Sequence, residues 1–112
     1  MTSSHWTFFS NHAHVLVSLT ESPEATLREV AWRVGITERS AQRIISHLVE
    51  AGILQREKQG RRNSYVIDTQ AHLRHPLEES CTVGELLQTL LSLDQVQRLE
   101  RDHAQYNERL PQ

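Results

Sequence analysis

The chain concentrates its basic side chains in one stretch. Residues 26–67 hold eight Lys or Arg against four Asp or Glu, a net charge of +4, whereas residues 1–25 and 68–112 carry −2 and −4. Of the 12 basic residues, only Lys58 is a lysine. The others are arginines, whose planar guanidinium makes paired hydrogen bonds to phosphate or to the edge of guanine. This distribution indicates contacts with a nucleic acid, although the whole chain has a net charge of −2.

Two groups of polar residues in this stretch are candidates for such contacts. One lies on the N-terminal half of a predicted helix, where a recognition helix meets base edges. The other surrounds a predicted hairpin tip, where basic side chains lie along a phosphate backbone or enter the minor groove. For Arg28 and Arg33 we expect simple solvation instead. The candidate DNA-binding residues are Thr37, Arg39, Ser40, Gln42, Arg43 and Ser46 on the helix, and Lys58, Arg61, Arg62 and Asn63 on the hairpin.

Two short helices are predicted to position the first group. Thr26 and Glu29 form the T-x-x-E pattern of a capping box, and Gly35 can adopt the left-handed conformation that ends a helix. Thr37 can cap a second helix, which Gly52 closes. Together they predict a helix-turn-helix with its recognition helix at residues 37–51. The apolar positions at helical spacing are Leu27, Val30, Ala31 and Val34 in the first helix, and Ala41, Ile44, Ile45, Leu48 and Val49 in the second.

A β-hairpin is predicted to position the second group. Residues 53–57 and 64–68 are strand-like, and residues 58–63 between them contain Gly60 as a turn residue. The resulting wing, residues 56–64, would provide affinity, while the helix provides sequence specificity. The predicted fold class is therefore mainly α with a small β-hairpin wing, a winged helix-turn-helix with N- and C-terminal flanking helices.

Three aromatic residues precede the first helix of the chain. Ser10 can cap a helix that continues to Leu19, and Trp6, Phe8 and Phe9 stand before this cap. The aromatic side chains either close the core of the domain or pair across a dimer. Stacking on nucleic-acid bases is disfavoured, because these residues do not interleave with basic ones.

A leucine-rich helix is predicted after a polar loop at residues 69–80. Thr82 and Glu85 form a second capping box, and Asp94 and Gln97 form a similar pattern for a further helix. The leucine-rich helix carries more apolar residues than a small winged domain covers. We therefore expect it to build a homodimer, with core filling as the competing role. The predicted dimerisation residues are Val83, Leu86, Leu87, Leu90 and Leu91.

The array G-I-T-E-R-S-A-Q-R-I-I-S-H-L-V-E-A-G-I-L at residues 35–54 resembles bacterial winged helix-turn-helix regulators of the MarR/ArsR-like kind. The flanking W-T-F-F-S-N-H-A-H-V-L-V-S-L and L-R-H-P-L-E-E-S-C-T-V-G-E-L-L are similar to a group of small bacterial winged-helix proteins. The resemblance implies a transcriptional regulator that binds double-stranded DNA through the residues named above. A homodimer of this kind would read two half-sites about one helical turn apart.

Length and composition bound the remaining properties. A chain of 112 residues supports one domain. Within it, residues 1–70 would form the winged helix-turn-helix DNA-binding part, and residues 71–112 the linker and C-terminal helical dimerisation segment. The single cysteine excludes an internal disulfide. No signal peptide or membrane-spanning run is recognisable, which predicts a cytoplasmic protein without a membrane partner.

Catalysis and metal binding are not expected. Ser80 and Cys81 are the only candidate nucleophiles near a histidine, and no third group orients them. His72 and His75 bracket a loop without a second cysteine, which does not fit a metal site, and His47 either touches phosphate or packs. We expect no enzyme activity, cofactor or metal, and any small-molecule effector would bind at the dimer interface. The alternative function is a winged-helix protein-interaction module that does not bind DNA.

Overall fold

The protein is described by a computed structural model that covers residues 6–91 and 93–109. Three helices, an antiparallel hairpin and two further helices follow one another, which confirms the predicted fold class. In chain order, the elements are α1 (Asn11–Glu21), α2 (Leu27–Val34), α3 (Glu38–Glu50), β1 (Leu54–Gln59), β2 (Arg62–Ile67), α4 (Val83–Leu90) and α5 (Leu93–Arg109).

Hydroxyl side chains fix the starts of α1 to α4, as predicted. The Ser10 hydroxyl accepts a hydrogen bond from the amide of Ala13 at 3.5 Å, and the Thr37 hydroxyl accepts from the amide three residues later at 3.0 Å. The capping boxes at Thr26 and Thr82 are both complete. Each threonine hydroxyl accepts from the amide of the glutamate three residues later at 3.1 Å, and that carboxylate accepts from the threonine amide at 3.0 and 2.9 Å.

One hydrophobic core joins α1, α2, α3, the base of the hairpin and α4. The turn between α2 and α3 is tight, because Gly35 adopts φ +85° and its amide donates to the carbonyl of Ala31 at 2.8 Å. This turn brings the apolar stripes of both helices against α1. The core side chains are Val15, Leu16, Leu19, Val30, Ala31, Ala41, Ile44, Ile45, Leu48, Ile53, Leu54, Ile67, Val83 and Leu87.

The hairpin is longer in its strands and shorter in its turn than predicted. Its strands pair from Leu54↔Ile67 to Gln59↔Arg62. The prediction of a six-residue connection at 58–63 was therefore wrong. Only Gly60 and Arg61 lie outside the strands. Gly60 has φ +63°, whereas Arg61, like every non-glycine residue in the described part of the chain, does not have positive φ. This combination is found in a type II′ turn, whose twist suits two directly paired strands. Lys58, Arg62 and Asn63 therefore stand on strands rather than in a loop.

The segment between β2 and α4 is folded back onto the start of α4. The amides of Val83 and Gly84 donate to the carbonyls of Ala71 and Thr69 at 2.8 and 2.9 Å. A Cβ atom on Gly84 would lie 3.0 Å from the Thr69 carbonyl oxygen, so the glycine permits this close approach. The predicted polar loop is thus a structured connection that anchors α4.

The leucine-rich helix α4 divides its apolar residues between two environments. Val83 and Leu87 are fully buried in the core, which is the core-filling role considered for this helix. Leu86 and Leu91 are half-buried, and Leu90 is 37% exposed. The amphipathic stripe therefore contributes Val83 and Leu87 to the core and leaves Leu90 as its most exposed apolar residue.

Helix α5 runs along the hairpin. The Tyr106 hydroxyl lies 3.4 Å from Gln55 Oε1, and His103 Nε2 lies 3.6 Å from Asp68 Oδ1. The helix predicted in this region is present, while the expected cap by Asp94 and Gln97 concerns side chains outside those described. No helix within residues 6–91 and 93–109 combines the length and apolarity needed to cross a membrane.

Candidate nucleic-acid interface

The solvent-facing side of α3 carries four of the six predicted helix contacts. Arg39, Gln42, Arg43 and Ser46 are all exposed, since the opposite side of the helix is held in the core. Arginine and glutamine present hydrogen-bond groups that match base edges in the major groove. This side of α3 therefore has both the exposure and the chemistry expected of a recognition helix.

The other two predicted helix contacts are used within the chain. The Thr37 hydroxyl donates to Ser40 Oγ at 3.0 Å while accepting from the Ser40 amide at 3.0 Å. Ser40 is half-buried, and Thr37 is exposed. The Thr37 hydroxyl thus caps the start of α3.

A groove of about 460 Å³ separates α3 from the hairpin. It brings together two predicted helix contacts and three predicted hairpin contacts, which are 15 or more residues apart in the sequence. Arg39, Arg43 and Lys58 lie outside the groove but are exposed. The predicted residues lining it are Gln42, Ser46, Arg61, Arg62 and Asn63.

Arg56 is a groove residue that the sequence analysis missed. It pairs across the hairpin with Tyr65, and its guanidinium carbon lies 5.8 Å from the centre of the Tyr65 ring. This cation–π contact holds the arginine over the groove wall. The alternation Leu54, Arg56, Lys58 places Arg56 on one hairpin face with Lys58, but its place beside Tyr65 at the groove depends on the strand register, for which the sequence carried no signal.

The charges of the interface are only partly compensated. Arg33, expected to be uninvolved, pairs with Glu21 at 2.7 Å. By contrast, among the residues that the structure describes, no carboxylate lies within ion-pair distance of Arg39, Arg43 or Arg61. These three guanidinium groups are available to phosphate or base acceptors.

The carboxylate of Glu29 belongs to the capping box of α2. The pKa of Glu29 is lowered mainly by the backbone amide of Thr26, then by the Thr26 side chain, with a smaller contribution from the positive charge of Arg62. Glu29 is therefore ionised at neutral pH.

His47 faces away from the groove, toward α1. Its Nδ1 lies 3.2 Å from Nε2 of His12, the ring planes differ by 4°, and the ring centres are 5.5 Å apart. The distance between the two nitrogens makes up most of the distance between the ring centres, so the rings lie edge to edge in one plane and are not stacked face to face. One hydrogen bond joins the two nitrogens. Burial, and then the charge of His47, lower the pKa of His12. This pair joins α1 to the recognition helix.

The histidines considered for a metal hold the connection before α4. His72 Nδ1 donates to the Glu79 carbonyl at 2.8 Å, and His75 Nδ1 accepts from the Leu77 amide at 3.1 Å. Within the described part of the chain, no three His, Cys, Asp or Glu side chains are grouped so that they could hold a metal ion.

Comparisons with known proteins give a structural likeness and no family. No protein-family model matches the chain, and no curated protein sequence matches it. Among solved structures, the chain is similar to the zinc-dependent MarR family transcriptional regulator AdcR in its Zn(II)-bound state. The TM-score is 0.44 at 15% sequence identity, and the match covers 94% of this chain and 60% of that chain. The chain thus spans less than two thirds of the regulator that it resembles.

Proposed function

We propose that the protein is a sequence-specific regulator of transcription that binds double-stranded DNA as a homodimer. Its recognition helix, residues 37–51, would enter the major groove, and its wing, residues 56–64, would lie on the backbone or in the minor groove. The observation that carries this proposal is the groove between α3 and the hairpin. There, polar residues of an exposed helix face meet three arginines of the hairpin.

The exposed side of α3 supports the placement in the major groove, which admits one α-helix. Arg39 and Arg43 are four residues apart and therefore lie on the same side of the helix. Each can form two hydrogen bonds with O6 and N7 of guanine, and Gln42 can form two with adenine. Sequence specificity would then come from these three side chains.

The hairpin supports the second contact. Its two-residue turn places Arg61 at the outermost point, and the paired strands hold it there. Arg56 and Arg62 also line the groove, although the strand register places them on opposite faces of the hairpin. These arginines would neutralise phosphates on the strand next to the recognition helix, which contributes affinity that depends little on sequence.

Binding to fluorescently labelled duplex DNA, measured by anisotropy across a salt series, tests this proposal. We expect log affinity to fall linearly with log salt, with a slope of about −0.9 for each neutralised phosphate. The combined change Arg43→Ala and Arg61→Ala should weaken binding by about 30-fold or more, because each contact contributes about 1–3 kcal/mol.

Arg33→Ala is the matched control. It removes one of the two charges that the double variant removes, from an arginine that is paired with Glu21, and should change duplex affinity by less than about threefold. If the double variant binds duplex DNA as tightly as the Arg33→Ala protein, the assignment of this surface is wrong.

A second candidate function is a winged-helix protein-interaction module. Trp32 favours it, since this large side chain projects from α2, the first helix of the helix-turn-helix, with most of its surface exposed. This alternative predicts that the protein ignores random duplex DNA at low salt, and that Trp32→Ala abolishes retention of a protein partner. Duplex binding with the salt dependence above would exclude it.

A further inference from the structure

The exposed apolar side chains of the protein are not scattered evenly. Phe8 is 88% exposed and Leu77 is 89% exposed, yet they come from opposite ends of the fold and border the same groove. Trp6, 67% exposed, packs edge-on against Phe8 with ring centres 4.8 Å apart. An apolar cluster of this kind on a small domain usually marks an interaction site.

The groove they border has a volume of about 810 Å³ and lies between α1, the end of α3, residues 71–82 and α4. Leu16, Leu48 and Val83 form its floor, which is continuous with the core. Leu86, half-buried on α4, forms part of its wall. The groove therefore offers an apolar cavity with apolar side chains projecting beside it.

We infer that this groove is the two-fold interface of the homodimer, with Phe8 and Leu77 of each copy inserted into the groove of the other. The inference rests on the proposed function only for the existence of a dimer. A second copy of the chain fits this surface, because the groove and the projecting side chains lie side by side on one chain. A two-fold axis places the projecting side chains of each copy in the groove of the other copy.

The charges at the groove fit a second copy as well. Arg74 and Glu78 both line it and are both exposed. A two-fold axis can therefore place the arginine of one copy against the glutamate of the other. A strongly charged partner would meet no surface of single opposite sign here, since Arg74 lies along the groove together with Glu78 and Glu85.

The available area is close to what a specific dimer needs. With about 150–250 Å² per aromatic side chain, Phe8 and its neighbour Trp6 expose roughly 300 Å² per chain. A two-fold axis doubles this to about 600 Å², and Leu77 and the groove walls that these side chains cover add to it. The sum approaches the roughly 1,000 Å² at the lower limit of specific interfaces.

This interface leaves the proposed DNA-binding surface free. The apolar groove uses His47, Leu48 and Ala51 of α3, whereas the groove toward the hairpin uses Gln42 and Ser46. The two grooves share no lining residue. Both recognition helices would therefore remain accessible in the dimer.

The oligomeric state tests the inference through matched substitutions. Sedimentation equilibrium of the full chain should show a dimer that Phe8→Glu or Leu77→Glu weakens by about 30-fold or more, as for a central interface residue. Trp32→Glu and Leu90→Glu change exposed apolar residues that do not line the groove, and should leave dimerisation within about threefold of wild type. The Leu90→Glu protein thus separates this interface from the dimerisation stripe that the sequence predicted on α4. Circular dichroism should show all four variants folded, since each changed side chain is exposed.

Trp6 provides an independent signal. In a Trp32→Phe background it is the only tryptophan, because the chain has two. Its emission should shift to longer wavelength on dilution through the dimer dissociation range, and Phe8→Glu should abolish the concentration dependence.

Two outcomes overturn the inference: an unchanged dimer in the Phe8→Glu and Leu77→Glu proteins, or a wild-type protein that is monomeric at all concentrations. Duplex binding by the monomeric variants separates the two proposals. If they still bind a half-site with the wild-type salt slope, the DNA-binding proposal holds whatever the result for the interface.

Discussion

Arg56 and Arg61 reach the same groove from different positions in the hairpin, and only one of them was predictable. Arg61 follows Gly60, and the sequence places a basic residue beside a glycine at a turn. Arg56 stands within a strand, and its role depends on the register that pairs it with Tyr65. Register is set by the length of the turn, which the sequence pattern overestimated. Side chains placed by local signals were therefore predictable, whereas those placed by strand pairing were not.

Thr82 illustrates a residue whose structural role is fully predictable from local sequence. Thr82→Ala removes the hydroxyl that accepts from the Glu85 amide at 3.1 Å, and should lower the free energy of unfolding by about 1 kcal/mol. Thr89→Ala on the same helix is the control, because that hydroxyl only donates to the Glu85 carbonyl within the helix at 3.3 Å. Urea denaturation compares the two. Equal losses would show that the cap does not contribute specifically.

The His12–His47 pair gives a prediction on pH. Because the pKa of His12 is lowered below 6.5 in the folded protein, the unfolded chain binds more protons just below that pH. The contribution of His12 to stability is therefore complete above pH 6.5 and is lost as the pH falls through its folded pKa. Urea midpoints at pH 7.5 and 5.5 should differ more in the wild type than in His12→Gln. Identical pH dependence in both proteins would contradict this account.

At the scale of elements, the hairpin turn is the feature on which the wing depends most. Gly60 has φ +63°, which costs a residue with a Cβ atom about 1–2 kcal/mol, although nothing lies within 4 Å of the position that Cβ would occupy. Gly60→Val should therefore destabilise the hairpin and weaken duplex binding. Gly60→Asn should be close to wild type, since asparagine tolerates positive φ. Denaturation and duplex affinity of both variants would be compared, and equal behaviour of valine and asparagine would show that backbone strain is not the cause.

Helix α4 shows why the number of leucines in a helix does not determine its partner. The sequence shows one apolar stripe, and the same stripe serves a core or an interface equally well. In the fold, the connection at residues 69–82 is hydrogen-bonded to the start of α4 and brings Val83 and Leu87 into the core. Those hydrogen bonds join backbone groups, which no side-chain pattern reveals. The helix was predictable, but the allocation of its leucines was not.

At the scale of the whole molecule, the chain separates two surfaces by charge. The arginine-bearing face of α3 and the hairpin belongs to the stretch with a net charge of +4, while the apolar groove is built largely from segments with net negative charge. A dimer closed by the apolar groove leaves the basic face of each copy uncovered, and a two-fold axis relates the two faces. The operator should then consist of two inverted half-sites, because the symmetry of the DNA site mirrors that of the protein.

The most direct measurement for the central claim is selection of bound sequences from a random pool of duplex DNA, carried out with the wild-type chain and with the Arg43→Ala, Arg61→Ala protein. The wild type should enrich a palindromic motif whose half-sites lie about 10 base pairs apart, centre to centre. The double variant should enrich no motif under the same conditions. A wild-type pool that remains random after repeated rounds at low salt would contradict the proposal that this protein reads DNA sequence.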